Sequence, residues 1–195
     1  MADTEPQELT VPASSQHGGQ ALELLITKEQ LQKRVSELAA ELGERFRGHS
    51  PIFIGVLNGS FIFMADLMRQ LDSDAEVDFI KLSSYGSETS SQGTVRLLKD
   101  ISADITGRDV VVVEDIVDTG LTIKFLRGRL EEAAPTSVTF VTLLLKHEVA
   151  NLDFPIDYVG FNIPNRFVVG YGLDVDQKLR GLESVYAFKE NRDAK

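Results

Sequence analysis

The chain has 195 residues, a formal net charge of −10, 43% apolar and 26% charged residues, and no cysteine. That size suits one ordinary core; the missing thiols exclude disulfides and thiolate catalysis, and the acidity weighs against nucleic acid as a partner. No apolar run approaches the roughly 20 residues of a membrane-spanning helix, so no membrane partner is expected and a cytoplasmic location is the default.

Residues 1–24 are polar, Gly- and Pro-bearing and aperiodic, and are expected to form a flexible tail with no signal-peptide pattern. Thr27 and Gln30 then stand at capping-box spacing. Leu31, Val35, Leu38, Leu42 and Phe46 follow as one helical stripe that stops near Gly48. PIFIGVL (51–57) reads as a buried strand, the pair Asn58-Gly59 as a turn, and SFIFMADLMRQL (60–71) as a helix. VDFIKLSSY (77–85) and TVRLLKD (94–100) read as strands around a polar, Gly-containing loop.

DVVVVED (109–115) is continuous, β-branched and apolar on both faces, the pattern of a central strand in a parallel sheet covered on both sides. A helix over 120–134 and the strand SVTFVTLLLK (137–146) follow. Strand–helix–strand alternation predicts an α/β fold with a mostly parallel, twisted sheet flanked by helices. The last 40 residues break that alternation and are expected to form a small hood lobe, mainly from about 150 to 195, on a single domain spanning 25–195.

Open α/β sheets bind ligands beyond the carboxyl ends of their strands. After VVVV come Glu114 and Asp115, two apolar residues, and then Asp118, Thr119, Gly120, Leu121 and Thr122 at a helix start. Hydroxyls and successive amides there suit a phosphate monoester, and the adjacent carboxylates suit the vicinal hydroxyls of a ribose. The same pattern also serves a helix cap, or the acidic Mg²⁺ pair of a phosphoacceptor domain.

VVVVEDIVDTGLT resembles the signature of type I phosphoribosyltransferases, which bind phosphoribosyl pyrophosphate (PRPP). LLLKH (143–147), DYVGFNIPNRFVVGYGLD (157–174) and Arg180 resemble the base-binding region of hypoxanthine-guanine phosphoribosyltransferases. VLNGSFIFMADL (56–67) and DFIKLSSYG (78–86) are similar to that family's pyrophosphate-side loop and the start of its mobile loop. The resemblance runs from about Leu22 to Lys189 with the segments in order.

The resemblance implies transfer of the phosphoribosyl group to N9 of a 6-oxopurine, with Mg²⁺ as cofactor and a homodimer or homotetramer as assembly. It places Asp118 at purine N7 as general base, Glu114 and Asp115 on the ribose hydroxyls, and residues 118–122 around the 5′-phosphate. Lys146 would donate to O6, which an ammonium can do for a 6-oxo but not a 6-amino group. Phe167 would stack on the base and Val168 would meet its edge. Asp174 lies near the base and holds Mg²⁺, with Glu114 and Asp115 as further candidate ligands; Asn58, Gly59 and Arg180 face pyrophosphate, and Ser84 and Tyr85 open the lid. Asn58 departs from the family, which commonly has Lys there and a cis bond before it. Two further readings follow from the same fold: an enzyme preferring xanthine, and a regulatory nucleotide-binding protein, which would call for a basic face or an added DNA-binding domain.

Overall fold

A computed structural model describes residues 5–85 and 94–189. Along the chain run β1 (Glu8–Thr10), β2 (Ala21–Ile26), α1 (Lys28–Arg45), β3 (Ile52–Leu57), α2 (Phe61–Gln70), β4 (Glu76–Tyr85) and β5 (Thr94–Lys99). There follow β6 (Asp109–Val117), α3 (Leu121–Glu131), β7 (Ser137–Leu145), β8 (Tyr158–Asn162), β9 (Val168–Val169) and β10 (Val185–Phe188). Two compact units result, one from the described residues up to Arg34 and from Arg166 on, the other from Val35 to Asn165.

The larger unit carries a sheet ordered β5-β4-β3-β6-β7-β8. Every pairing is parallel except β4 with β5. The mostly parallel sheet predicted from the alternation is therefore present, with one antiparallel edge strand. Val110, Val111, Val112 and Val113 are all fully buried, so β6 is covered on both faces, as its unbroken apolar run requires. On one face Ile52, Ile54, Val110, Val112 and Phe140 cluster with Ile123, Leu126 and Leu130 of α3. This rigid layer fixes the strand ends from which the functional loops leave.

The α1 stripe is buried at all five positions, Leu31, Val35, Leu38, Leu42 and Phe46. Its capping box is reciprocal: the Thr27 amide donates to Gln30 Oε1 at 2.9 Å and the Gln30 amide to Thr27 Oγ1 at 3.2 Å. Two boundaries differ from expectation. Residues 8–10 and 21–26 are strands rather than tail, because β2 is the partner of both β1 and β10, and Val11 and Leu22 are buried. The hood expected over 150–195 also divides differently. Residues 150–165, with β8, belong to the larger sheet, and the smaller unit joins residues from Arg166 on to the N-terminal strands. Its antiparallel sheet is ordered β1-β2-β10-β9 around Val11, Leu22, Val169, Val175 and Tyr186.

Among the described residues no helix is long and apolar enough to cross a membrane.

Candidate active site

Three neighbouring strands deliver the predicted residues of the larger unit. Asn58 and Gly59 follow the end of β3; Glu114 and Asp115 lie near the end of β6, with Asp118 to Gly120 beyond it; Lys146 follows β7. The register pairs Val117 with Leu145. Asp118 and Lys146 therefore leave adjacent strands at the same level. Their side chains meet, with Lys146 Nζ donating to Asp118 Oδ2 at 2.6 Å. Lys146 is buried and Asp118 is half exposed. A carboxylate and a donor-only cation thus share one strand edge.

The loop after β6 is held from behind. The Lys146 amide donates to the Val117 carbonyl at 3.0 Å and the Asn151 amide to the Thr119 carbonyl at 3.2 Å. Gly120 sits at φ +85°, the left-handed region that glycine enters without steric cost, and a Cβ there would lie 2.6 Å from Leu152 Cδ2. No side chain caps the start of α3. Its first-turn amides therefore remain available to an anion, beside the exposed Thr119 and the half-buried Leu121 and Thr122. Leu152 and Asn151 were not indicated by the sequence, since their bracing role depends on a tertiary contact and no local periodicity marks it.

Glu114 is only 7% exposed. Its Oε2 has no hydrogen-bond partner among the described residues. Burial, and then the neighbouring Asp115 charge, push its carboxyl well above the ordinary glutamate range. The folded state therefore keeps a proton that the unfolded chain releases near pH 4.5. Between that value and the folded pKa, stability falls as pH rises, at up to about 1.4 kcal/mol per pH unit for one proton. Glu114→Gln is expected to remove this slope, so that its urea midpoint exceeds the wild type by more at pH 8 than at pH 5. Parallel curves for the two proteins would refute the buried-proton reading.

Asp115 closes against the β3 turn. Its Oδ1 accepts the Ile116 amide at 2.9 Å, and a Cβ built on Gly59 would overlap its Oδ2. The Leu57–Asn58 peptide is cis, as the resemblance implied. Ser60, which the sequence reading passed over, is fully buried and donates its hydroxyl to the Val56 carbonyl at 2.7 Å, fastening the turn to β3.

Phe167, Val168, Asp174 and Arg180 belong to the smaller unit. Phe167 is 47% exposed, well short of a core aromatic, and Val168 is buried in β9. Asp174 accepts the Gln177 amide at 2.7 Å and pairs with the Arg180 guanidinium at 2.7 Å. Arg180 also donates to the Gly172 carbonyl at 2.7 Å and to Gln177 Oε1 at 3.0 Å. Its fork is engaged within its own turn. Ser84 and Tyr85 end β4; the lid expected beyond them falls on residues 86–93, outside the described residues.

For a hard cation, the donors present are the adjacent Glu114 and Asp115 and, separately, Asp174. Glu114 and Asp115 are carboxylates of the kind Mg²⁺ takes one or two at a time, completing its shell with water and substrate phosphate. Among the described residues no group of three or more His, Asp or Glu could hold a metal ion. The donor set fits a metal that arrives with a phosphate ligand.

Known proteins point the same way. Residues 25–176 match the model of the phosphoribosyl transferase domain. A hypoxanthine-guanine phosphoribosyltransferase of Mycobacterium avium is 45% identical over 173 residues, covering 86% of this chain and 85% of the relative. The enzyme of that name from Bacillus subtilis is 42% identical over 166 residues, covering 85% of this chain and 92% of the relative. A crystal structure of a Bacillus anthracis hypoxanthine-guanine phosphoribosyltransferase superposes with a TM-score of 0.82 at 46% identity, over 86% of this chain and 98% of that one. With the sheet, the anion-ready loop and the acid–lysine pair in place, the chain belongs to the phosphoribosyl transferase family and, within it, to the hypoxanthine-guanine phosphoribosyltransferases, enzymes of purine salvage.

Proposed function

We propose that the protein transfers the 5-phosphoribosyl group of PRPP to N9 of hypoxanthine, and of guanine close behind, giving inosine or guanosine monophosphate and pyrophosphate. The observation that carries this reading is the Lys146–Asp118 pair beside the uncapped start of α3. Lys146 has no acceptor, so it matches a 6-oxo group and leaves the 6-amino group of adenine facing another donor. Entry of the base exchanges the 2.6 Å ion pair for two contacts, Lys146 to O6 and Asp118 to the N7 side.

In the transfer, the bond from C1′ to the pyrophosphate oxygen breaks and the bond from C1′ to N9 forms. The base gives up one proton, which Asp118 takes or stabilises at N7. Residues Asp118 to Thr122 cradle the 5′-phosphate through amides and the hydroxyls of Thr119 and Thr122. Glu114 and Asp115 accept from the ribose hydroxyls, and the Asp115 charge favours the cationic character that develops at C1′. Asn58 and Gly59 offer turn amides to pyrophosphate, with no lysine ammonium at Asn58. Arg180 adds its fork once it leaves Gln177 and Gly172. Phe167 stacks on the purine and Val168 presents backbone groups to its edge, with Asp174 nearby. Ser84 and Tyr85 lead into the lid that excludes water.

Asp174 would hold Mg²⁺, and Glu114 and Asp115 are further candidate ligands in the larger unit. Bound there, the ion would neutralise pyrophosphate charge and make it a better leaving group. The family resemblance supports a homodimer or homotetramer, and a cytoplasmic setting where PRPP is available.

A spectrophotometric assay with PRPP, Mg²⁺ and each of hypoxanthine, guanine, xanthine and adenine tests the proposal. Turnover is expected with hypoxanthine and guanine, and an efficiency up to about a hundredfold lower with adenine, because an unmatched buried donor costs roughly 1–3 kcal/mol. Inactivity with all four bases would overturn the enzymatic reading; xanthine ahead of the other two would overturn the substrate order.

A further inference from the structure

The segment ahead of β2 lies outside the stretch matched by the family model, yet it is built into the small unit. Residues Val11–Gln20 form a closed loop between β1 and β2. The Val11 amide donates to the Gln20 carbonyl at 3.0 Å and the Gly19 amide to the Val11 carbonyl at 3.0 Å. Inside it, the Ser15 amide reaches the Pro12 carbonyl and the Gly18 amide reaches the Ser15 carbonyl, each at 2.9 Å. Gly18 packs so closely on Ala13 that a Cβ would lie 2.7 Å from the Ala13 carbonyl oxygen. The loop therefore has one compact shape.

Two anchors tie this strap to the turn that follows Asp174. The Asp176 carboxylate accepts the Ser15 hydroxyl and, at 2.7 Å, the Gln16 amide. Lys178 donates to Ser14 Oγ at 2.6 Å and to the Ser14 carbonyl at 3.1 Å. The turn itself needs support, because Asp176, Gln177 and Leu179 hold φ of +51°, +63° and +67°, a region non-glycine residues seldom occupy. Gln177 is also the residue whose amide binds Asp174.

At its tip the strap places His17 against two aromatic rings. The His17 centroid lies 6.1 Å from that of Phe167 and 5.5 Å from that of Phe188, and Phe167 meets Phe188 edge-on at 5.1 Å. These separations fall in the range of favourable aromatic pairs. A half-exposed Phe167 just ahead of the two-residue β9 would otherwise have one ring to lean on. With two, its orientation is fixed before any base arrives, and the ordering cost of stacking is already met.

We propose that His17, carried on the Val11–Gln20 strap, is a positioning residue for the purine: it orients the Phe167 ring on which the base stacks. This rests on the reading of Phe167 given above. His17 touches neither PRPP nor the reacting atoms, so its effect is confined to affinity for the base.

Steady-state kinetics on the full chain test it. His17→Ala is expected to raise KM for hypoxanthine several-fold, up to about tenfold, the span of one aromatic pair, while kcat and KM for PRPP stay within about twofold of wild type. His17→Phe, which restores a ring, is expected to recover the wild-type KM. An unchanged base KM in His17→Ala, a parallel rise in both KM values, or a His17→Phe variant as impaired as His17→Ala would each overturn the proposal. Ser15→Ala loosens the strap without removing a ring or a residue of the Asp174 turn and should likewise raise KM for the base alone, which keeps the test decisive if His17→Ala does not fold. An inactive wild type would sink the substrate reading and the strap together; an active wild type with unmoved ratios sinks the strap alone.

Discussion

Asp118→Asn lowers kcat by about a hundredfold or more while KM for PRPP stays within about twofold, the loss anticipated when a general base is removed and the phosphate cradle is spared. The carboxylate oxygen that holds Lys146 at 2.6 Å is the group available to take a purine proton, and an amide cannot take it. The replacement also leaves the Lys146 ammonium, largely shielded from solvent, without its counter-charge. Base affinity therefore falls along with turnover. The 5′-phosphate contacts proposed above come from amides and from Thr119 and Thr122, which the change does not touch. Rapid-quench measurement of the first turnover separates the chemical step from product release. A first-turnover rate equal to wild type would remove Asp118 from proton transfer.

Gly59→Ala is expected to reduce kcat/KM for PRPP by about a hundredfold, since a displacement of roughly 1 Å at a reacting centre can cost that much. The reason is steric: the new methyl would occupy the space of Asp115 Oδ2. Either the carboxylate leaves its position, where Oδ1 accepts the Ile116 amide, or the turn after β3 moves. Both routes separate the groups assigned to ribose and pyrophosphate. Affinity for the free base, measured by equilibrium dialysis, should change little by comparison. An alanine variant with wild-type kcat/KM would show that the β3 turn and Asp115 act independently.

Much of the fold was legible where its signals are local. A run of four valines needs cover on both faces, and β6 has it. Thr27 and Gln30 stand at the spacing of a reciprocal cap, and both bonds form. Gly120 between an acidic strand end and a helix marks a tight phosphate-type turn, and its φ of +85° agrees. The Lys146–Asp118 pair was not legible as a pair. It depends on the Val117–Leu145 register, which a sequence separation of 28 does not encode locally. The N-terminal strands were missed for the same reason. β2 is short and mixed in polarity, and its identity as a strand comes from pairing with β10 rather than from its own pattern. Resemblance alone points Arg180 at pyrophosphate, and no local pattern marks that its guanidinium holds Asp174 and Gln177.

Leu22 and Leu24 find their partners at Phe188 and Tyr186, so the first long strand to emerge from a ribosome pairs with almost the last. Until those late residues are made, β2 has a bare edge toward them and β1 alone beside it. The parallel sheet between Val35 and Asn165 can assemble earlier from neighbours close in sequence. Birth order therefore makes the small unit the final part to close, and a pause in translation shortly before residue 185 would strand an exposed, aggregation-prone β-edge.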